Sequence, residues 1–192
     1  MENPLISFIA PVYNFYPIMV DSVLLQLYKN VEVVIVHDGE PNEQTKRIIE
    51  TKLEDKRVKY IELDKRYNDW GHTPRDIGLK SLTSESNFVI VSGGDNYYAP
   101  GYCTELLSII TENHLGAYCN CVHDKLGWIT LDTRLEGGYI DGGCMMTRTK
   151  VAQEIGWFSR GYAGDWHFFS KLLSIYGLEK FIKLNKTLYI HN

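Results

Sequence analysis

NFVIVSGGDNYYAP, residues 87–100, is the stretch on which the fold turns. Phe88, Val89, Ile90, Val91 and Ser92 form an unbroken β-prone run, the pattern of a strand covered on both faces. The run stops at Gly93-Gly94-Asp95-Asn96, so a short carboxylate-bearing loop sits at the carboxyl end of a central strand. In an open α/β sheet, the loops at that edge converge on the crevice where ligands bind. Gly93 and Gly94 let backbone approach a ligand, and Asp95 with Asn96 offers hard oxygens suited to a divalent cation that holds phosphates. An ordinary Gly-Gly-Asp-Asn turn has the same composition, so the rest of the chain must arbitrate.

Upstream, strand and helix patterns alternate. Residues 5–10 read as a strand closed by Pro11-Val12-Tyr13-Asn14, and Pro17 suits the first turn of a helix over 17–29 with Val20, Val23, Leu24 and Leu27 on one face. Residues 31–37 read as a second buried strand, stopped by Asp38-Gly39-Glu40-Pro41, and Asn42 caps an amphipathic helix that runs to residue 53. A third strand covers 58–63, and Thr73-Pro74 reads as the cap and first residue of a helix over 74–82. After the quoted stretch comes a helix over 100–114. This βαβ series predicts an α/β fold, a mostly parallel central sheet with right-handed connections and helices on both faces.

The second half is less regular. Strands are expected at 117–122 and 127–131, and the glycine-rich LEGGYIDGGCMM, residues 135–146, reads as a loop entering another strand. A helix over 149–155, a loop over 156–164, a helix over 165–176 closed by Gly177, and short strands at 180–184 and 188–191 complete the chain. No linker or repeat interrupts it, so residues 1–192 read as one domain; the chain ends close behind a strand, as a domain cut from a longer protein would.

Composition narrows the function classes. With 44% hydrophobic and 23% charged residues the chain suits one sizeable globular core. A net charge of -4, with lysines and arginines scattered, argues against a nucleic-acid partner. No stretch reaches the roughly 18 apolar residues that a membrane span needs. The N-terminal MENPLISFIAPVYN carries an acidic residue where a signal peptide wants basic ones, so the expected location is cytoplasmic, either free or peripheral to a membrane. The 4 cysteines lack a CxxC and fit reduced thiols. Cys119, Cys121 and His123 alternate and would share one strand face, either as small hydrophobes or around a soft metal.

Three carboxylates fall at comparable places: Asp38 after the second strand, Asp95 after the central one, and Asp165 at the start of a late helix. The order and spacing of PVYN, VEVVIVHDGE, TPRDIGLKSL, FVIVSGGDNYYAP and GDWHFFSKLL resembles the family 2 glycosyltransferases, which have the GT-A fold, over nearly the whole chain. The resemblance implies a nucleotide-binding half over 1–100 and an acceptor-binding half over 101–192. It implies transfer of a sugar from a nucleotide-diphosphate donor, a UDP-sugar first and a dTDP- or GDP-sugar second, to a hydroxyl of a glycan or related acceptor, with inversion. Asp38 lies where the family has an Asp-Asp-Gly-Ser-like turn and would bind uracil, with Pro11, Tyr13, Gly94 and Asp95 also bordering the donor. Arg75 lies at the family's Ala-Arg-Asn step, with Asp76 replacing the Asn, and would reach the nucleotide or its diphosphate.

The family's Asp-x-Asp metal motif falls on Gly93-Gly94-Asp95-Asn96, which lacks the first carboxylate. Asp95, with His191 at the place of a C-terminal metal-binding His, implies Mn²⁺ or Mg²⁺, a cation that takes much of its coordination from water and diphosphate. Asp165 lies where the family has Glu-Asp, with Gly164 in place of the Glu, and would be the general base that takes the acceptor proton. Trp166, Tyr139 and Asp141 are expected beside the acceptor or donor sugar, and His72 in a loop beside the diphosphate. The departures at Gly93 and Gly164 keep a second reading open, a catalytically weakened GT-A domain that binds nucleotide-sugar or glycan. A nucleotidyltransferase would need a basic glycine-rich signature where this chain has PVYNFYP.

Overall fold

The computed structural model describes residues 3–14 and 16–192; Glu2 of the N-terminal reading and Phe15 of the PVYNFYP turn lie outside them. The strands are β1 (Leu5–Val12), β2 (Val31–His37), β3 (Val58–Glu62), β4 (Ser86–Val91), β5 (Tyr97–Tyr98), β6 (Gly116–His123), β7 (Ile129–Leu131), β8 (Met145–Arg148) and β9 (Phe181–His191). The helices are α1 (Ile18–Leu24), α2 (Glu43–Leu53), α3 (His72–Ser81), α4 (Tyr102–Ile109), α5 (Thr149–Ile155) and α6 (Gly164–Tyr176). One sheet runs in the order β3-β2-β1-β4-β8-β6-β9-β5, with β7 on β6. It is parallel through β3-β2-β1-β4 and mixed beyond, because β8 lies antiparallel to both β4 and β6 while β9 lies parallel to β6.

Neighbouring residues of β1 show why both faces are covered, since successive side chains of a strand point to opposite sides. Phe8 meets Tyr98 of β5 and Tyr102 of α4 on one face, while Ile9 faces α3 at Gly78 on the other. A Cβ on Gly78 would lie 2.6 Å from Ile9 Cγ2, so only glycine lets α3 come this close. The central strand β4 is buried as its apolar run requires. Among the described residues no helix is long and apolar enough to cross a membrane.

Several boundaries differ from expectation for identifiable reasons. Helix α1 stops at Leu24, and Leu27, expected on its buried face, is exposed. There Gln26 turns its buried amide to Ala99 O and Cys103 N, tying the chain to the segment before α4. Helix α3 starts at His72, ahead of Thr73-Pro74, because the Asp69 carboxylate accepts from both Thr73 N and Thr73 Oγ1. The two short strands expected at the end are one, β9, and the expected break is a bulge where Asn185 accepts from Asn120 Nδ2. Helix α4 is shorter than expected, ending at Ile109.

Candidate active site

The carboxyl ends of β1, β2 and β4 open into two adjoining cavities of about 490 and 350 Å³. The first lies between Pro11, Tyr13, Asp38, Arg66 and Gly94, and the second between His72, Lys125, Asp141, Tyr162, Asp165 and His191. Trp70, Arg75, Gly93 and Asp95 border both and form the seam. Asp38, Asp95 and Asp165 therefore do meet at one crevice, joined by Asp141.

Asp38 is buried, and its carboxylate accepts from Tyr67 N at 2.8 Å and Asn68 N at 3.0 Å. It holds the 64–71 loop over the first cavity. Gly39 continues this clamp at φ +87°, where a Cβ would lie 2.8 Å from Arg66 N. The Arg66 guanidinium in turn lies 3.2 Å over the exposed Tyr13 ring. Trp70 is held at φ +55°, a strained position for a bulky residue, and is 70% exposed at the seam. Its carbonyl accepts from Arg75 Nη1 at 2.7 Å, and Arg75 Nε donates to Ser92 O at 3.1 Å. Burial pushes the Arg75 guanidinium down from its ordinary pKa, and Asp141 and Asp165 pull it back.

Gly94 is where backbone approach is tightest: a Cβ there would lie 2.4 Å from Val12 Cγ1 and 2.7 Å from Pro11 O. Asp95 is exposed on this loop, whereas Asn96, expected beside it as an oxygen ligand, is buried and accepts at its Oδ1 from Asn192 N at 3.2 Å. The amide thus anchors the chain's last residues at the border of the second cavity, which both Asn96 and Asn192 line.

Asp141 caps a tight turn over Gly142–Cys144, its Oδ1 accepting from Gly143 N at 2.9 Å and from the Tyr189 hydroxyl at 2.6 Å. Both glycines of the turn are demanded by contact, since a Cβ at Gly142 would meet Val91 O at 2.5 Å and one at Gly143 would meet the Tyr189 ring at 2.4 Å. His191 ends β9 in register with His123, and the two rings stack at 4.1 Å. Its Nδ1 lies 2.8 Å from Asp124 Oδ1 and its Nε2 3.6 Å from Asp141 Oδ2. Among the described residues, His123, Asp124 and His191 form a group with ligand atoms all within 4.8 Å of one another. Cys119 and Cys121, which alternate with His123, are wholly buried in the sheet.

Asp165 lies in the first turn of α6, its Oδ1 accepting from Trp166 N at 2.8 Å. Burial, and then the nearby Asp141 charge, push its carboxyl up to about 6. The Gly164 that precedes it, in place of the family's Glu, has a steric cause: a Cβ there would lie 2.2 Å from His72 Cε1. His72 is not the loop residue expected. It is the first residue of α3, its Nδ1 accepting from Trp157 Nε1 at 2.9 Å and its Nε2 donating to Gly161 O at 2.8 Å. Both ring nitrogens are spent, and burial pushes the imidazole pKa down.

Tyr139 and Trp166 do not line either cavity. Tyr139 lies under the Arg134 guanidinium at 3.8 Å, and Trp166 packs over Gly137 against the core. Arg66 and Lys125, not singled out from the sequence, do line the crevice, as does Trp70. A Trp beside a glycine just before a helix start was the available signal for Trp70; nothing local marks the other two.

The family model described as Glycosyl transferase family 2 matches residues 7–162. An uncharacterized glycosyltransferase of Haemophilus influenzae is 26% identical over 145 residues, which cover 71% of this chain and 56% of the relative. Among solved structures, S. aureus TarS in complex with UDP superposes with a TM-score of 0.75 at 19% identity, over 97% of this chain and 60% of that one. The Pyrobaculum calidifontis mannosyltransferase PcManGT, in complex with GDP-Man and Mn2+, gives a TM-score of 0.75 at 16% identity, over 100% of this chain and 57% of that one. The chain spans less than two thirds of the length of each of these three proteins.

Proposed function

The chain belongs to glycosyl transferase family 2, and from that premise we propose that it moves a sugar from a nucleotide-diphosphate donor, a UDP-sugar first, to a hydroxyl of a glycan or related acceptor, with inversion. The observation that carries this reading is the company Asp165 keeps. It is a half-buried carboxylate held near pH 6, sharing one cavity with Arg75, Asp95 and His191. A base works best when its pKa lies near the working pH, and burial raises Asp165 toward that range.

In this reading the nucleotide fills the first cavity, its base against the Tyr13 and Arg66 wall and the Asp38 clamp, with Pro11 and Gly94 beneath it. The sugar crosses the seam at Arg75 and Asp95. An acceptor hydroxyl in the second cavity gives its proton to Asp165 while its oxygen bonds the anomeric carbon. The bond to the diphosphate breaks with both electrons leaving on the phosphate oxygen. Arg75 stands at the seam to meet that developing charge. A hard carboxylate oxygen from Asp95 and an imidazole nitrogen from His191, whose other nitrogen is tied to Asp124, fit Mn²⁺ or Mg²⁺. Such a cation would neutralise charge on the departing diphosphate.

The test is incubation with Mn²⁺, a panel of nucleotide-sugars and candidate acceptors, with release of free nucleoside diphosphate and the product's anomeric configuration as readouts. Release with one donor and an inverted product are expected. Binding of UDP without release from any donor would instead make this a binding domain.

A further inference from the structure

Asp141 and His191 face one another without a hydrogen bond. One oxygen of Asp141, Oδ1, is taken by the Tyr189 hydroxyl and Gly143 N, so the carboxylate cannot turn and Oδ2 is left to the crevice. A carboxylate can only accept, so the 2.8 Å contact of His191 Nδ1 with Asp124 Oδ1 puts the imidazole proton on Nδ1. In the neutral ring Nε2 is then a bare lone pair, 3.6 Å from the anionic Asp141 Oδ2. Two acceptors held face to face repel unless positive charge lies between them, and 3.6 Å is too long for a proton on Nε2 to make a hydrogen bond to Oδ2 but suits a cation bound by both.

We propose that His191 Nε2 and Asp141 Oδ2 are two ligands of a divalent-cation seat, with Asp124 as the positioning carboxylate that aims His191. Asp141 thereby supplies the anionic oxygen that the 93–96 loop lacks at Gly93, in place of the acceptor contact expected of it. The inference rests on the transferase reading only for the ligand that would share the cation, the donor diphosphate. A cation with ligand distances of about 2.1 Å holds adjacent ligands about 3 Å apart and opposite ones about 4.2 Å, a range that brackets the observed separation. Asp95 borders the same cavity and can supply a third ligand. An alternative seat inside the His123, Asp124 and His191 group fails on ring geometry. The two imidazoles are stacked with planes 14° apart, so their in-plane lone pairs run side by side and cannot converge on one ion. A carboxylate on the far nitrogen of a ligating His is the usual supporting arrangement, and its loss weakens metal binding about 10- to 100-fold.

The experiment is titration of Mn²⁺ into the full chain stripped with EDTA, with free Mn²⁺ read by electron paramagnetic resonance, with and without UDP. Asp141→Asn keeps an oxygen for Tyr189 and Gly143, so its melting should be unchanged while Mn²⁺ affinity falls at least tenfold. Asp124→Ala should weaken Mn²⁺ about tenfold. It should also release His191 from its single Nδ1–H tautomer in ¹⁵N spectra, which a merely structural role would not do. Mn²⁺ binding to a wild type that turns over no donor leaves the seat standing and removes the transferase reading. Turnover that survives EDTA, or Asp141→Asn binding Mn²⁺ as wild type does, overturns the seat and leaves that reading intact.

Discussion

Asp165→Asn should make the protein more stable and nearly inactive at once. The Asp165 carboxyl has an ordinary pKa of 3.8, and burial raises it to about 6, with Asp141 adding to the rise. Between those values the unfolded chain has lost the proton and the folded chain keeps it. Stability therefore falls as pH rises from about 4 through 6, and above that the folded state carries the full penalty of a buried charge. The gap corresponds to roughly 3 kcal/mol, and partial exposure of the side chain reduces it to about 1–3 kcal/mol. Asparagine keeps an oxygen for Trp166 N and carries no charge. At pH 8 the variant should melt about 3–10 °C above wild type, an advantage that shrinks through pH 6 and vanishes below 4. An amide cannot take the acceptor proton, so kcat should fall about 100- to 10,000-fold, while wild-type kcat should rise with pH through about 6. The assays are thermal melts from pH 4 to 8 in EDTA, beside turnover with the donor found by the panel. A variant that melts at or below wild type at pH 8 would refute the burial argument, and one with full turnover would refute the base.

Asp38→Ala should weaken UDP by about 1.5–3 kcal/mol, the worth of hydrogen bonds to a charged group, and should speed amide exchange at Tyr67 and Asn68, which lose their acceptor. Unchanged affinity by calorimetry would remove Asp38 from the donor site. Gly94→Ala forces a methyl into Val12 and Pro11, costing about 1–3 kcal/mol. UDP binding should drop with it while far-ultraviolet circular dichroism stays native. Asp69→Ala leaves Thr73 N without its acceptor, and urea unfolding should read a loss of about 1 kcal/mol.

Residues 88–92 announced the buried central strand and 42–53 a capped helix, because apolar periodicity and a capping side chain act within a few residues. Asn42 does accept from Thr45 N, and Thr149–Ile155 is the helix expected there. From alternating strand and helix the carboxyl edge followed, and so did the meeting of Asp38, Asp95 and Asp165. Local pattern carries no record of side chains that meet across the fold. The His72 ring that fills the space beside Gly164 comes from a helix 92 residues earlier by their numbers, 164 less 72. Asp141 faces His191 because β9 runs parallel to β6, a pairing that no turn signal prescribes. Asn96 is drawn inward by Asn192 N, and Trp70 is held at positive φ with its carbonyl bound to Arg75. Each of these depends on the free energy of a packed, desolvated contact between distant segments, which exists only once the sheet has brought them together.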